Sequence, residues 1–335
     1  MIPDCFFNKI QAHMTPKKTL STKGTKRTPH SDTTVIDYVN SLISLLSNAG
    51  RLGTAHNYTR TRNSLQAFLK GRDIPLRKFD ETLVMEYSGF LMQRGVVRNT
   101  ASFYMRILRA IYNKAVRKNI VTQTYPFKNV YTGIDKTRKR ALDEMSLIKL
   151  LSLDLEGQPA LKLSRDLFLF SFCTRGMSFI DIALLRKTDC TGCYITYRRH
   201  KTGQFLTILI EPCIKSIMDR YADRTKDTPY IFPIVSSVDQ EAVYRQYQTS
   251  LGYHNRKLKV LARMAGVNIH LSSYCARHTW ATVARNRNIP VSVIAAAMGH
   301  SSEKTTLIYL DSLENSVIDQ ANRQVLESLH GNVSP

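Results

Sequence analysis

Acid, cysteine and long apolar runs are all scarce in this 335-residue sequence. Only 26 Asp and Glu stand against 48 Lys and Arg, a formal net charge of +22. A basic excess of that size implies a polyanionic partner, and nucleic acid is the usual one. Six cysteines over this length form no disulfide framework, which points to a reducing compartment and hence the cytoplasm. No stretch approaches the ~18 apolar residues of a membrane span, and no apolar segment follows a basic one near the start. Neither a membrane segment nor a secretory leader is therefore expected. Cys190-Thr191-Gly192-Cys193 lacks a second CxxC or CxxxH at metal-ligand spacing, and Thr-Gly is good turn chemistry. The tetrad is read as a turn, with no metal or other cofactor expected.

What is present is ordinary globular composition, 43% hydrophobic and 22% charged, in a chain long enough for two domains. Residues 1–32 scatter Lys9, Lys17, Lys18, Lys23, Lys26 and Arg27 among Thr, Ser, Pro and Gly, as in a flexible basic arm. Residues 33–120 carry four helical stripes. They are Val35, Val39, Leu42 and Leu46; then Tyr58, Leu65, Phe68 and Leu69; then Leu83, Tyr87, Phe90 and Leu91 behind an N-capping Asp80; then Ala101, Met105, Leu108, Tyr112 and Ala115. Opposite the last stripe lie Asn99, Ser102, Arg106, Arg109 and Asn113. That polar, basic strip suits a DNA groove, or else plain solvent. The helical period fades over 121–140, which ends in Lys136, Arg138, Lys139 and Arg140. This reads as a linker able to cross a phosphate backbone.

A second domain is expected over 141–335. Leu161–Leu185 is apolar and of helical length but is interrupted by Arg175, for which an ion pair with Asp181 is the structural reading. Tyr194–Tyr197 and Phe205–Ile210 form a hairpin with Lys201 at its exposed tip. Helices follow at about 211–222 and 241–265. Tyr274–Tyr309 then reads as helix, turn, helix, a Gly-His-Ser-Ser break and a last short helix. Ala276, Trp280, Val283 and Ala284 bury the first of these, while Val291, Ile294, Ala295 and Met298 bury the second, which Gly299 caps.

Together these pieces resemble the tyrosine recombinase, or phage integrase, family in order and spacing. The family's second arginine lies in an Arg-His-Thr/Ser-aromatic-Ala motif, here Arg277-His278-Thr279-Trp280-Ala281. Its Leu-Gly-His-Ser segment is matched by Met298-Gly299-His300-Ser301, with His300 23 residues after Arg277. The nucleophilic tyrosine is expected nine residues beyond that histidine, where Tyr309 stands. The hairpin lysine before Thr-Gly is Lys201, and the first arginine is matched by Arg175. There are two departures. Tyr274 stands where many relatives have a histidine, and alignment from Asp181 puts Ser178 in the first arginine's slot, one helical turn from Arg175.

The resemblance implies a mainly α fold with a small antiparallel β-sheet: a helical core-binding domain joined to a catalytic domain. It also implies a C-terminal helix at 313–329, docking on a neighbouring subunit or in cis. The implied activity is site-specific recombination of double-stranded DNA through a 3′-phosphotyrosine, by a tetramer on DNA, as in a mobile-element integrase or a DNA invertase. Arg175, Arg277 and His300 would hold the phosphate, Tyr309 attack it, and Lys201 protonate the leaving oxygen. Tyr274, with a pKa near 10, is a poor base at neutral pH and would orient phosphate or nucleophile. A non-cleaving DNA-binding protein and a type IB-like topoisomerase are the other readings. Action would be cytoplasmic, on the nucleoid of a bacterium.

Overall fold

The computed structural model describes residues 33–135, 141–300, 302–307 and 322. It divides into two compact units between Asp135 and Lys136. The basic arm, the run 136–140 and the C-terminal segment 313–329 (Asn322 apart) lie outside the described residues.

The first unit holds four helices: α1 (Val35–Asn48), α2 (Leu52–Phe68), α3 (Glu81–Gln93) and α4 (Arg98–Arg117). Their apolar stripes meet in one core, in which Leu65, Val84, Tyr87 and Met105 are each about 1% exposed. Asp80 caps α3 by accepting the Leu83 N–H at 2.9 Å. That cap stabilises the helix by ~1 kcal/mol. Helix α1 has no cap of its own; Asp73 supplies one from a distance, accepting the Ile36 N–H at 3.0 Å. The segment expected as linker from 121 belongs instead to this unit as far as 135. Val121 and Phe127 are buried in its core, and the Tyr112 hydroxyl donates to the Thr122 carbonyl at 2.9 Å. The helical period ends near 118, but apolar anchors continue, so loss of periodicity did not mean loss of packing.

The second unit comprises α5 (Glu144–Leu151), α6 (Pro159–Cys173), α7 (Phe179–Leu184), a three-stranded sheet, α8 (Pro212–Asp219), α9 (Gln240–Met264), α10 (Cys275–Asn286), α11 (Val291–Ala297) and α12 (Glu303–Leu307). Strands β1 (Cys190–Thr191), β2 (Tyr194–Arg198) and β3 (Phe205–Leu209) run antiparallel in the order β1-β2-β3. Cys190-Thr-Gly-Cys193 makes the β1–β2 turn, as its Thr-Gly predicts. Helix α6 is buried nearly all round, with Leu167, Phe168, Leu169 and Phe170 consecutive in the core, so it is the helix about which the others pack. Phe232, Leu258, Leu261, Ile195 and the small Ala276 belong to the same core. Such cores contribute ~25 cal/mol for each Å² of apolar surface removed from water.

The expected break at Arg175 is sharp. Arg175 N–H donates to Phe172 O at 3.2 Å and Gly176 N–H to Ser171 O at 2.8 Å, a Schellman end to α6. Arg175 takes the left-handed position at φ +60, one that glycine usually fills. Helix α11 ends in the same motif with Gly299 in the left-handed place: Gly299 N–H meets Ala296 O and His300 N–H meets Ala295 O. Among the described residues no helix is long and apolar enough to cross a membrane.

Candidate active site

The site grows from the end of α11. Beyond its Schellman turn the Met298 and Gly299 carbonyls point out of the helix with no helical donor left to meet them. Arg277, in the first turn of α10 and 3% exposed, donates to Met298 O at 2.6 Å and to Gly176 O at 2.8 Å. It can lie there because residue 176 is glycine. At φ +76, a Cβ on Gly176 would stand 2.7 Å from Arg277 Cγ and 2.8 Å from its Cα. Although charged and outside the apolar stripe of its helix, Arg277 is buried between the α6–α7 turn and the α11 end.

His300 follows at once. Its Nε2 lies 2.9 Å from an Arg277 terminal nitrogen, and its Nδ1 lies 2.9 Å from Thr306 Oγ1. A guanidinium can only donate, so Nε2 accepts and the proton of the neutral ring sits on Nδ1, donated to Thr306. Burial, then the charges of Arg277, Arg199 and Lys201, push the His300 pKa down to about 4. The ring is therefore neutral at physiological pH. Thr306 is fully buried and three residues short of Tyr309, which lies outside the described residues.

The hairpin brings the remaining cations. Ile195, Tyr197 and Arg199 alternate onto the buried side of β2 and its continuation, while Lys201 is exposed at the tip, as the sequence predicts. Asp181, 5% exposed on α7, ties this hairpin down: it accepts the His200 N–H at 2.8 Å and the Ser178 hydroxyl at 2.6 Å. The Arg175–Asp181 ion pair, the structural alternative for Arg175, is not formed among the described residues. Arg175 donates to the Thr207 carbonyl of β3 at 3.3 Å. Ser178, in the slot of the first arginine, is the N-cap residue of α7. Tyr274 stands at the N-cap position of α10 without a side-chain capping bond, 46% exposed, with its ring 5.2 Å from that of His278. Arg199 was not singled out by sequence. It is 6% exposed and donates to Gly299 O at 2.6 Å. Carrying the period-two alternation of Ile195 and Tyr197 one step further would have found it.

In the first unit the polar strip of α4 is partly covered, which corrects the expectation of an open face. Asn99 exchanges hydrogen bonds with the Asp135 backbone, and buried Ser102 donates to Gly133 O. Short polar side chains here satisfy a returning loop. Arg109 stays exposed while donating to Thr132 Oγ1 at 3.0 Å, and Arg106 is half-buried. Lys136, Arg138, Lys139 and Arg140 lie outside the described residues.

Two family models match this chain: the phage integrase SAM-like domain over residues 34–130, and the phage integrase family over 181–316. The chain belongs to the tyrosine recombinase family. A tyrosine recombinase XerA from Pyrococcus furiosus is 27% identical over 202 residues, covering 59% of this chain and 66% of that relative, just under two thirds. A lambda integrase tetramer bound to a Holliday junction shares the fold at a TM-score of 0.59 and 14% identity, over 84% of this chain and 78% of the other. The Tn1549 transposon integrase, as a fragment with a circular intermediate DNA, does so at 0.60 and 17%, over 87% and 99%. This tyrosine recombinase thus has the mainly α fold, with one small antiparallel sheet, that the resemblance implies.

Proposed function

We propose that this protein is a site-specific DNA recombinase that cuts and rejoins double-stranded DNA through a 3′-phosphotyrosine. Its setting would be a mobile-element integrase or a DNA invertase, acting in the cytoplasm on the nucleoid. One observation carries the reading. Arg277 and His300 converge at 2.9 Å, and His300 is bonded to Thr306, three residues before Tyr309. A cationic phosphate cradle and the chain leading to the nucleophile are thereby joined in one hydrogen-bonded unit.

A phosphodiester resists attack because its non-bridging oxygens share a negative charge. A forked, permanently charged guanidinium such as Arg277 offsets that charge as it builds in the transition state. His300, neutral, holds that guanidinium in place: its Nε2 accepts from Arg277 and its one N–H goes to Thr306. The Tyr309 oxygen forms a bond to phosphorus while the bond from phosphorus to the 5′-oxygen breaks; the phenolic proton leaves to solvent, and Lys201 gives the 5′-oxygen its proton. With a pKa near 10, Tyr309 stands ~3 units from neutral pH, roughly 4 kcal/mol against the phenolate. Neighbouring cations offset much of that. The phosphotyrosine keeps the energy of the broken bond, so rejoining needs no ATP. Exchange between two duplexes takes four cuts and hence four copies. The tetrameric lambda integrase of the same fold supports that count. Tyr274 would orient the phosphate, and Arg106, Arg109 and the run from Lys136 to Arg140 would follow the DNA backbone.

The test uses nicked duplexes tiled across the DNA flanking the protein's own gene, which trap the covalent intermediate when the nicked fragment diffuses away. Wild type should yield a protein–DNA adduct on a denaturing gel, and Tyr309→Phe none. No adduct from any duplex would favour a non-cleaving DNA-binding protein, and an adduct that survives in Tyr309→Phe would mean another nucleophile.

A further inference from the structure

We propose that Arg199 supplies the second guanidinium that holds the scissile phosphate, the role the family resemblance assigns to the α6–α7 segment. This rests on the recombinase reading and names a residue that the reading did not require. Two non-bridging oxygens need two forked cations, and three positions compete for the second place beside Arg277. Ser178, in the aligned slot, has no charge, and its hydroxyl is already given to Asp181 at 2.6 Å. Arg175 sits at the left-handed end of α6, and its guanidinium is held by the Thr207 carbonyl of β3. Arg199 alone of the three shares the anchor of Arg277. The two guanidiniums donate at 2.6 Å to consecutive carbonyls, Met298 and Gly299, and His300 is the next residue.

The burial of Arg199 points the same way. Taking a guanidinium out of water is costly unless an anion or a full set of acceptors meets it. At 6% exposure Arg199 has one side-chain hydrogen bond among the described residues, and no carboxylate within ion-pair distance. One carbonyl satisfies one of five N–H donors. A phosphate oxygen at this place would supply the missing charge and further acceptors. The position is also shaped for the stem: a Cβ on Gly299 would stand 3.3 Å from Arg199 Cδ. The cations that lower the His300 pKa are Arg277, Arg199 and Lys201, which sets Arg199 within the same field.

The experiment compares two nicked duplexes, one with the natural scissile phosphate and one with a methylphosphonate there, in which a methyl group replaces a charged oxygen. Full-length Arg199→Ala, Arg199→Lys and Arg175→Ala are assayed for adduct formation beside wild type. Removing one such donor from a transition state costs about 10²–10³-fold. Arg199→Ala should lose that much on phosphate but less than about tenfold on methylphosphonate, where there is less charge to hold. Arg199→Lys, which keeps the charge without the fork, should show the same selective loss in smaller measure, and carries the test if the alanine variant does not fold. Arg175→Ala should keep the wild-type ratio between the substrates. Equal losses on both duplexes would make Arg199 structural and overturn the proposal. So would full activity of Arg199→Ala, or selective relief in Arg175→Ala instead. A wild-type protein that forms no adduct with either duplex sinks the recombinase reading itself, and the role of Arg199 with it.

Discussion

Replacing Gly176 with alanine should disable the site at modest cost in stability. Two effects combine at this residue. Its φ of +76 is left-handed, which costs a non-glycine residue about 1–2 kcal/mol. The new methyl would also lie 2.7, 2.8 and 2.9 Å from Arg277 Cγ, Cα and Cβ, where ordinary contact begins at 3.4 Å. The α6–α7 turn or the first turn of α10 must then move by about 0.7 Å, taking with it the 2.8 Å bond from Arg277 to Gly176 O. Misplacement of a catalytic group by ~1 Å can cost on the order of 10²-fold. Gly157 is the matched control: its φ is +69, yet nothing lies within 4 Å of its added Cβ. In urea denaturation both alanine variants should lose about 1–2 kcal/mol of stability from the backbone alone. In single-turnover adduct formation only Gly176→Ala should fall, by tens to hundreds of fold. Equal rates for the two variants would refute the account of how Arg277 is seated.

Asp181→Ala removes both acceptors, leaving the Ser178 hydroxyl and the His200 N–H without the carboxylate that meets them. A loss of about 2 kcal/mol is expected, with faster amide exchange at His200; an unchanged urea midpoint would discount the clamp. His254 is 3% exposed, stacked on Phe179 with ring centroids 4.7 Å apart, and burial lowers its pKa to about 3. Below its ordinary value of 6.5 the unfolded chain takes up a proton that the fold refuses. Stability is thus full above pH 6.5 and falls as pH drops toward 3, by up to ~1.4 kcal/mol per unit. Between pH 6.5 and 5, His254→Phe should avoid about 2 kcal/mol of that loss, and identical pH slopes for the two proteins would rule His254 out as its source.

Much of the architecture was legible because apolar periodicity and capping residues are local signals. The stripes of α1 and α4, Asp80 as N-cap, the hairpin and Gly299 as the end of α11 all follow from side-chain chemistry within a few residues. What escaped depends on contacts between distant segments. Residues 121–135 look like linker until Tyr112, Asn99 and Ser102 on α4 are seen to satisfy their backbone. Arg277 counts as polar in any helical wheel, and only the glycine at 176 reveals that it is buried. Arg199 was missed because a strand was taken to stop where its apolar residues stop, although the inward alternation runs on into a charged residue.

The carbonyls that hold the two buried arginines also bear on the charge the pocket presents. A carboxylate orients a guanidinium but cancels it; the Met298 and Gly299 carbonyls orient without cancelling, because a dipole carries no net charge. Asp181, the carboxylate brought in by α7, gives its two oxygens to a hydroxyl and an amide rather than to a cation. Among the described residues Arg199 is bonded to a carbonyl and to no carboxylate, so in the proposed complex the phosphate would be the first full counter-charge it meets.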